Sequence, residues 1–341
     1  MMRSFFLSVA MLLLIGCVEN NVTREELKGK AQGGYSDIIV VCDNNLWNKG
    51  LKDDVSFLFS EEIEGLYRSE QNFDITHVRT KSFSPLFKKQ RIIVVFNVSS
   101  SVSKSGVGYM QDKYSEGQLY VKVSAENFQV ASSLLLGSAS SLREKLNSHR
   151  IHGLQKKIRQ FSSDDTKLIL KDSLGVQLLL TEYYSSVVKK SDFAYFGKRA
   201  KAQCQSGQNS QCSYQMGLFI SKMKYDSEKI FEEKAFVSLR DSLTKKFIVG
   251  PDKEKPTYME CEKIIPLSSK IMTMSGHYCV EYKGWWNMVN ATMGGPFISY
   301  LLVDKQSNQL YLIDGFVFAP NFSKRDFLME LEAMIKTFKL N

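Results

Sequence analysis

The fold of the second half rests on residues 297–320, whose sequence is FISYLLVDKQSNQLYLIDGFVFAP. Two apolar runs, Phe297–Val303 and Gln309–Phe318, are rich in β-branched and aromatic residues, which favours strands. Asp304–Asn308 lies between them and contains Asp, Ser and Asn, which favour turns. The pattern predicts an antiparallel hairpin within a C-terminal sheet.

A helix is predicted directly after this hairpin, over Lys324–Phe338. Ser323 is its expected N-cap, and Asp326 is the expected partner in a capping box. The apolar side chains that share one face of this helix are Phe327, Leu331, Met334, Ile335 and Phe338. We expect this face to pack on the two strands of the hairpin.

The first turn of this helix contains two cations, Lys324 and Arg325, at the end where the helix dipole disfavours positive charge. An anion should therefore lie nearby. The structural candidates are the carboxylates of Asp314 and Glu332, and the functional candidate is a bound ligand.

The rest of the second half contains strand patterns and few helices. One helix is predicted over Glu228–Phe247. Strands are predicted at Gly175–Leu180, Phe193–Phe196, Tyr214–Met223, Tyr258–Ile265 and Gly276–Trp286. This arrangement indicates an antiparallel sheet covered by helices.

The first half alternates strand and helix patterns instead, which is typical of an α/β layer. Its predicted strands are Asp37–Cys42, Phe73–Val78, Arg91–Val98 and Gln118–Ser124, and its predicted helices are Lys52–Glu64 and Glu126–Gln160. The polar segment Phe161–Lys167 is the expected boundary. The predicted fold class is α+β, with an N-terminal α/β domain at 35–163 and a C-terminal α+β domain at 164–341.

The N-terminus reads MMRSFFLSVAMLLLIGC over residues 1–17, a short apolar run after a single arginine. The run is too short for a transmembrane helix and is typical of a secretory signal. Leu14-Ile15-Gly16-Cys17 resembles the bacterial lipobox, which implies a signal peptide at 1–16 and a lipidated tether at 17–34. Cys17 would then carry diacylglycerol and an acylated amine, with palmitate as the expected acyl group. Val18 favours the outer membrane, with the protein facing the periplasm; the alternative is an ordinary signal peptide with a chance cysteine.

The 341-residue chain has a formal net charge of +9 and is long enough for two domains. Its basic clusters are Lys88–Arg91, Lys156–Arg159, Lys198–Lys201 and Lys245–Lys246. For an exported protein the available partners are the bilayer, envelope proteins, anionic lipid headgroups and cell-wall polymers, and no nucleic acid is expected. The alternative is a dispersed basic surface that keeps the protein soluble.

Five cysteines remain after the anchor, in a compartment where disulfides persist. The spacing suggests two pairs, Cys204 with Cys212 and Cys261 with Cys279, and leaves Cys42 in a buried strand. No C-x-x-C occurs, and His149 and His152 are interpreted as part of a solvated helix face. The sequence therefore predicts no metal site and no cofactor.

Two further patterns are candidates for binding. Trp285 and Trp286 are adjacent on a predicted strand, so one should face the core and the other should face outward, where it could stack on a sugar ring. Gly294 and Gly295 precede Pro296 and either present backbone amides to an anion or form a tight turn into the next strand.

The chain resembles the DUF4837 lipoproteins of the Bacteroidota over nearly its whole mature length. Residues 67–70, Tyr-Arg-Ser-Glu, depart from the family, which has a proline-rich stretch there. The matching segments of the second half are Gly276-x-Tyr278, Gly284-Trp285-Trp286, Met293–Phe297, Asp314–Pro320, Lys324-Arg325 and Leu331-Glu332-Ala333. Those of the first half are Val40-Val41-x-Asp43, Trp47, Arg91-Ile92-Ile93 and Asp112-x-Tyr114-x-x-Gly117-Gln118. The resemblance implies an envelope lipoprotein and supplies no activity.

No G-x-S-x-G, H-E-x-x-H or Walker motif is present, so no catalytic residue is predicted. By its order of elements the second half looks like the Mog1/PsbP-type sandwich, whose members are mostly non-catalytic binding modules. The leading hypothesis is a lipoprotein that binds or scaffolds envelope components and is not an enzyme. The alternative is an envelope hydrolase in which Asp314 and Glu332 cleave glycan as a carboxylate pair.

Overall fold

The computed structural model describes residues 28–204, 210–250 and 254–340. The predicted signal peptide and the predicted anchor, Cys17, lie outside the described residues. Among the helices of the described ranges, none combines the length and the apolar character that crossing a bilayer requires.

The first half forms a five-stranded sheet with the strand order β2-β1-β3-β5-β4. Its elements are β1 (Asp37–Val41), α1 (Asn44–Leu46), a π-helical turn (Trp47–Leu51), α2 (Lys52–Phe59), β2 (Asp74–Val78), a 3-10 turn (Thr80–Ser82), α3 (Pro85–Lys88), β3 (Ile92–Val98), β4 (Gly106–Gln111), β5 (Leu119–Ala125), α4 (Phe128–Gly137) and α5 (Ala139–Gln160). The first four strands in that order are parallel, and β4 is antiparallel to β5. Buried runs such as Ile92–Val94 suit these central parallel strands, because helices or loops cover both of their faces.

The second half forms an eight-stranded antiparallel sheet in the order β10-β12-β13-β14-β9-β8-β7, with β11 also paired to β12. Its elements are α6 (Asp164–Leu174), β6 (Val176–Gln177), β7 (Ser185–Lys189), β8 (Phe193–Gln203), β9 (Gln211–Lys224), a 3-10 turn (Glu228–Phe231), α7 (Glu233–Phe247), β10 (Tyr258–Cys261), β11 (Ser268–Met274), β12 (His277–Val289), β13 (Gly294–Asp304), β14 (Gln309–Phe318), α8 (Arg325–Ile335) and β15 (Lys339–Leu340). The fold class is therefore α+β, as the sequence predicted.

Helices cover both faces of this sheet. On the α7 face, Phe236 of α7 stacks on Tyr282 with ring centroids 3.7 Å apart, and both belong to a buried group of side chains that we call the α7 cluster. On the α8 face, Leu331 of α8 and Ile313 of the sheet belong to a second buried group, the α8 cluster. The α8 cluster also contains Leu154 of α5, a helix that the first half contributes. The two halves therefore share one core on the α8 face.

The predicted hairpin and the predicted packing of the last helix are confirmed. Strands β13 and β14 pair as far as Asp304 and Gln309, and α8 lies against both strands. The predicted N-cap is wrong, because α8 begins at Arg325 and Lys324 occupies the cap position without a side-chain cap.

Several elements differ from the predictions. The strands β4, β7 and β11 were not predicted, and neither was α6, which begins inside the polar segment at 161–167. The side chain of Ser163 accepts a hydrogen bond from the amide of Thr166 and so caps α6. The described end of the predicted tether also belongs to the folded body, since the Ala31 amide donates to the Glu116 carbonyl at 2.8 Å.

One of the two predicted disulfides is present. Cys204 and Cys212 are bonded, with their Cα atoms 5.1 Å apart. The pair Cys261–Cys279 is wrong, because both thiols are free and buried. Cys261 pairs in register with Trp286, seven positions along β12 from Cys279, which is about 23 Å of strand. An odd separation also places the two thiols on opposite faces of the sheet, with Cys261 in the α7 cluster and Cys279 in the α8 cluster.

Candidate binding groove

A groove of about 1080 Å³ lies where the first half meets one end of the large sheet. Residues from three segments, 66–70, 285–294 and 318–324, line it. Its walls combine aromatic and apolar side chains with the cations Arg68 and Lys324 and the carboxylate of Glu70. Concave apolar sites with a few convergent polar groups are the usual form of ligand sites in proteins.

One wall of the groove is formed by residues 61–72, which we call the strap. Its two arms are joined by backbone hydrogen bonds, from Ile63 to the Glu70 carbonyl and from Asn72 to the Glu61 carbonyl, both at 2.9 Å. Arg150 of α5 holds one end of the strap, since its Nη1 donates to the Asn72 carbonyl at 2.9 Å.

The tip of the strap lies directly on the large sheet. Gly65 has a φ of +79°, and a Cβ atom there would lie 3.0 Å from the backbone nitrogen of Gly284 in β12. Both the conformation and the close approach favour glycine at this position.

The two tryptophans lie on opposite faces of β12, as the sequence predicted. Trp286 is 1% exposed and lies in the α7 cluster, where its ring makes an edge contact with Phe316. Trp285 lines the groove, and its ring centroid lies 6.1 Å from that of Tyr67 on the strap. Tyr67 is 72% exposed, so the groove presents an accessible aromatic wall.

The glycines before Pro296 form neither a tight turn nor an amide nest. Gly294 and Gly295 belong to β13 and pair with Asn287 and Trp286. Gly295 is required by close approach, because a Cβ atom there would lie 1.9 Å from the carbonyl oxygen of Val317. Gly294 lines the groove, whereas Gly295 is buried within the sheet.

The anion at the start of α8 is Glu70 of the strap. Its carboxylate accepts hydrogen bonds from the backbone amides of Lys324 and Arg325 at 2.8 Å. These amides have no hydrogen-bond partner within the helix, and a carboxylate from another segment accepts their hydrogen bonds. Its negative charge also interacts favourably with the positive end of the helix dipole. Arg325 donates in addition to the carboxylate of Asp74 at 2.7 Å.

The prediction that Asp314 or Glu332 compensates these cations is therefore wrong. Among the described residues, neither carboxylate forms an ion pair with Lys324 or Arg325. Burial lowers the pKa of the Lys324 ammonium, and Arg68 lowers it further, while Glu70 opposes the shift.

Asp314 is buried in the α7 face, where it forms an ion pair with Arg240 at 2.8 Å. Both side chains are 0% exposed, and the hydroxyl of Ser299 also donates to Asp314. Burial lowers the pKa of Arg240, but the Asp314 carboxylate and other neighbouring groups together outweigh burial, and the net shift is upward. The guanidinium carbon lies 3.8 Å from the centre of the Phe297 ring, so the pair is enclosed by the core.

Glu332 lies on the other face of the sheet, where it pairs with Lys336 one turn along α8. Because the sheet separates it from Asp314, the two carboxylates do not share a cleft. The geometry that the hydrolase alternative requires, two carboxylates flanking one bond, is not formed by this pair.

Of the predicted binding residues, the groove brings together Trp285, Gly294 and Lys324. Arg325 lies next to the groove at the start of α8, and the remaining candidates are Trp286, Gly295, Asp314 and Glu332, which lie elsewhere in the sheet or on α8. Sequence reasoning missed the strap residues Tyr67, Arg68 and Glu70. No local pattern marks them, because residues 67–70 meet the other groove segments only in the folded chain.

A family model described as a domain of unknown function, DUF4837, matches residues 162–337, which is more than half of the chain. The chain belongs to the DUF4837 family. A second domain of unknown function, DUF8532, matches residues 31–159. The sequence predicted a resemblance to the DUF4837 proteins over nearly the whole mature chain. The DUF4837 match lies in the second half, and a different domain model covers the first half. No curated protein sequence matches this DUF4837 chain.

Two solved structures with some likeness to this DUF4837 chain are forms of Mog1. One is the Ran-binding protein Mog1p of Saccharomyces cerevisiae, with 9% identity and a TM-score of 0.31. The other is a mutant of protein Mog1, with 9% identity and a TM-score of 0.28. Each match covers 49% of this chain and 90% of the other. Similarity of this degree carries no information about function.

Proposed function

We propose that this DUF4837 chain is a lipid-anchored lipoprotein of the bacterial cell envelope, in the outer membrane and facing the periplasm. In this proposal it is a non-catalytic binding or scaffolding module of the Bacteroidota that holds a second envelope component in the groove. The sequence Leu14-Ile15-Gly16-Cys17 supports the anchor.

The groove is the observation that supports a binding role. Tyr67 is 72% exposed beside the partly exposed Trp285, and such rings are enriched at binding surfaces. Arg68 and Lys324 on the same walls favour a partner with an acidic or otherwise electron-rich group.

The anchor is tested by Cys17→Ser in the native host. We expect the variant to remain an uncut precursor without lipid, because only a thiol accepts the diacylglycerol group. Mass spectrometry of the N-terminal peptide measures this, and Cys42→Ser, the same exchange at a buried cysteine, should keep the lipid. An unacylated wild-type N-terminus beyond Cys17 would disprove the anchor.

Binding in the groove is tested with a photo-crosslinking amino acid placed at Tyr67. We expect an adduct of defined mass in intact cells, and no adduct from the same replacement at Tyr183, which is 59% exposed near the opposite edge of the sheet. Trp285→Ala should remove the adduct without lowering the melting temperature appreciably. Ile271→Ala, at an exposed position on β11, should leave the adduct unchanged.

Three outcomes would contradict the binding role of the groove. They are equal adducts at Tyr67 and Tyr183, no adduct at Tyr67, and an adduct that persists in Trp285→Ala.

A further inference from the structure

A second cavity, of about 670 Å³, lies in the first half between α5 and the loops that precede β3 and β5. We call it the basic cleft. Its cationic side chains are Lys30, Arg91, Lys145, Lys156 and Lys157. Two of the basic clusters seen in the sequence thus contribute to one cavity, the first through Arg91 and the second through Lys156 and Lys157.

One face of α5 forms a wall of the cleft. Lys145, His149, His152 and Lys156 line it at intervals of four, three and four residues, which places them on one side of the helix. The histidines that the sequence assigned to a solvated face therefore lie in this wall.

Tyr35 and Arg91 form the floor of the cleft, and contacts with neighbouring groups fix both side chains. The Tyr35 hydroxyl donates to the Gly153 carbonyl at 3.2 Å, and a Cβ atom at Gly153 would lie 2.7 Å from the Tyr35 ring. The guanidinium carbon of Arg91 lies 4.2 Å from the centre of the same ring, and its Nη2 donates to the Ala31 carbonyl at 3.2 Å. Stacking and this hydrogen bond hold the Arg91 fork in one orientation.

The positive charge of the cleft has little compensation. Asp112 and Glu116 are the acidic residues of its lining, and Asp112 is already used, since its Oδ1 accepts hydrogen bonds from the amides of Gly117 and Gln118 at 2.6 and 3.2 Å. Within the described ranges, no carboxylate lies within 4.0 Å of a cationic nitrogen of Arg91, Lys156 or Lys157. The Nε atom of Arg91 is buried and has no hydrogen-bond partner among the described residues.

His149 reflects the same excess of positive charge. Burial, followed by the charge of Arg91, lowers the pKa of its imidazole to about 4. His152 lowers it further, while Asp112 and the Gly117 carbonyl oppose the shift. The ring is therefore neutral at pH 7 and adds no charge to the cleft.

We propose that the basic cleft binds a phosphate group, with the Arg91 fork on two of its oxygens and Lys156 and Lys157 at its rim. Several converging cations and a rigid guanidinium are the usual means of holding a phosphate. The cleft is large enough to admit more than the phosphate itself, so the ligand class is a phosphorylated molecule, either a phospholipid headgroup or a soluble phosphate ester.

The possibility that the ligand is a phospholipid headgroup rests on the proposed anchor. Ten residues, 18–27, separate Cys17 from Lys28, so the extended chain spans at most about 40 Å between them. Lys30 lines the cleft and lies just after this segment. A lipid on Cys17 would therefore keep the cleft close to the membrane surface, whereas binding of phosphate itself requires no anchor.

The test titrates the full chain, in micelles of a detergent without phosphate, with inorganic phosphate and with short-chain phosphatidylglycerol. Calorimetry should detect binding of at least one of them at pH 7, with a shift of the His149 ring resonances on saturation. Lys156→Gln/Lys157→Gln should weaken this binding about tenfold or more, because two charge-assisted contacts are lost. Lys245→Gln/Lys246→Gln, an equal change of charge at the exposed end of α7, should leave the affinity within about twofold of the wild type.

Tighter binding of phosphatidylglycerol supports a headgroup as the ligand, and tighter binding of inorganic phosphate supports a soluble ester. The proposal is overturned if neither probe binds, if both double variants lose affinity equally, or if the His149 resonances do not move. If the wild-type chain from the native host carries no lipid on Cys17 and still binds phosphate, the anchor is refuted and the cleft proposal stands.

Discussion

The α7 face of the large sheet is completed by residues of its own half, whereas the α8 face is completed by residues of both halves. On the α7 face, the buried ion pair of Arg240 and Asp314 is enclosed by the second half alone. On the α8 face, Leu154 of α5 joins the core and Glu70 of the strap caps α8. The α7 face therefore has a structural role, whereas the groove forms at the end of the sheet where the two halves meet.

The largest effect is expected from deletion of the helix α8, which covers one face of the large sheet. Deletion of residues 324–341 removes five side chains whose burial is worth roughly 1.5–3 kcal/mol each, a total comparable with the stability of a whole domain, and it exposes the apolar sheet face beneath them. We expect the second half to unfold, measured as loss of the near-ultraviolet circular dichroism and of cooperative urea unfolding. Deletion of only residues 339–341 is the control and should preserve the transition; a cooperative transition in the longer deletion would contradict the prediction.

Breaking the ion pair of the α7 face should have the next largest effect. Asp314→Leu leaves the Arg240 charge buried without a partner, which should lower the free energy of unfolding by about 3–5 kcal/mol. Arg240→Met/Asp314→Leu removes both charges and should recover most of the loss. Urea unfolding measures both variants, and a double variant as unstable as the single one would show that the unpaired charge is not the cause.

Removal of the carboxylate that joins the halves should have a smaller effect. Glu70→Gln weakens the cap of α8 and removes its charge, so we expect a loss of about 1 kcal/mol. Glu62→Gln, an exposed position on the same strap, is the matched control. Melting temperatures measure the difference, and equal values for the two variants would show that Glu70 does not stabilise α8.

The smallest expected effect is the pH dependence of the stability that Glu332 contributes on the α8 face. Burial raises the pKa of Glu332, but Lys336, Lys283 and Arg150 outweigh burial and the net shift is downward from 4.5. A carboxyl whose pKa is lowered on folding stabilises the protein above its ordinary pKa, and this contribution is lost as the pH falls below about 4.5.

Glu332→Gln should therefore reduce the stability above pH 5 and flatten its fall at lower pH, measured by urea unfolding at each pH. Glu144→Gln, at an exposed position on α5, should leave the profile unchanged. A wild-type pH profile for Glu332→Gln would contradict the assignment.

Elements that bury a periodic apolar pattern could be predicted from the sequence. The hairpin β13–β14 and the helix α8 follow from alternating and helical spacing, because their side chains enter the core. The missed strands β4, β7 and β11 lie at sheet edges, where most of their side chains are exposed. An edge strand is held by backbone hydrogen bonds on one side, which require no particular side chains.

The sequence by itself determined the fold class, the pairing of Cys204 with Cys212 and the opposite orientations of Trp285 and Trp286. Each of these depends on contacts within a few residues or on the two-residue period of a strand. Only the tertiary structure decided which carboxylate interacts with which basic residue. Glu70 and Lys324 are 254 positions apart in the chain, and no local pattern encodes a contact over that separation. The groove and the basic cleft were decided in the same way, because each is lined by segments that meet only after the chain has folded.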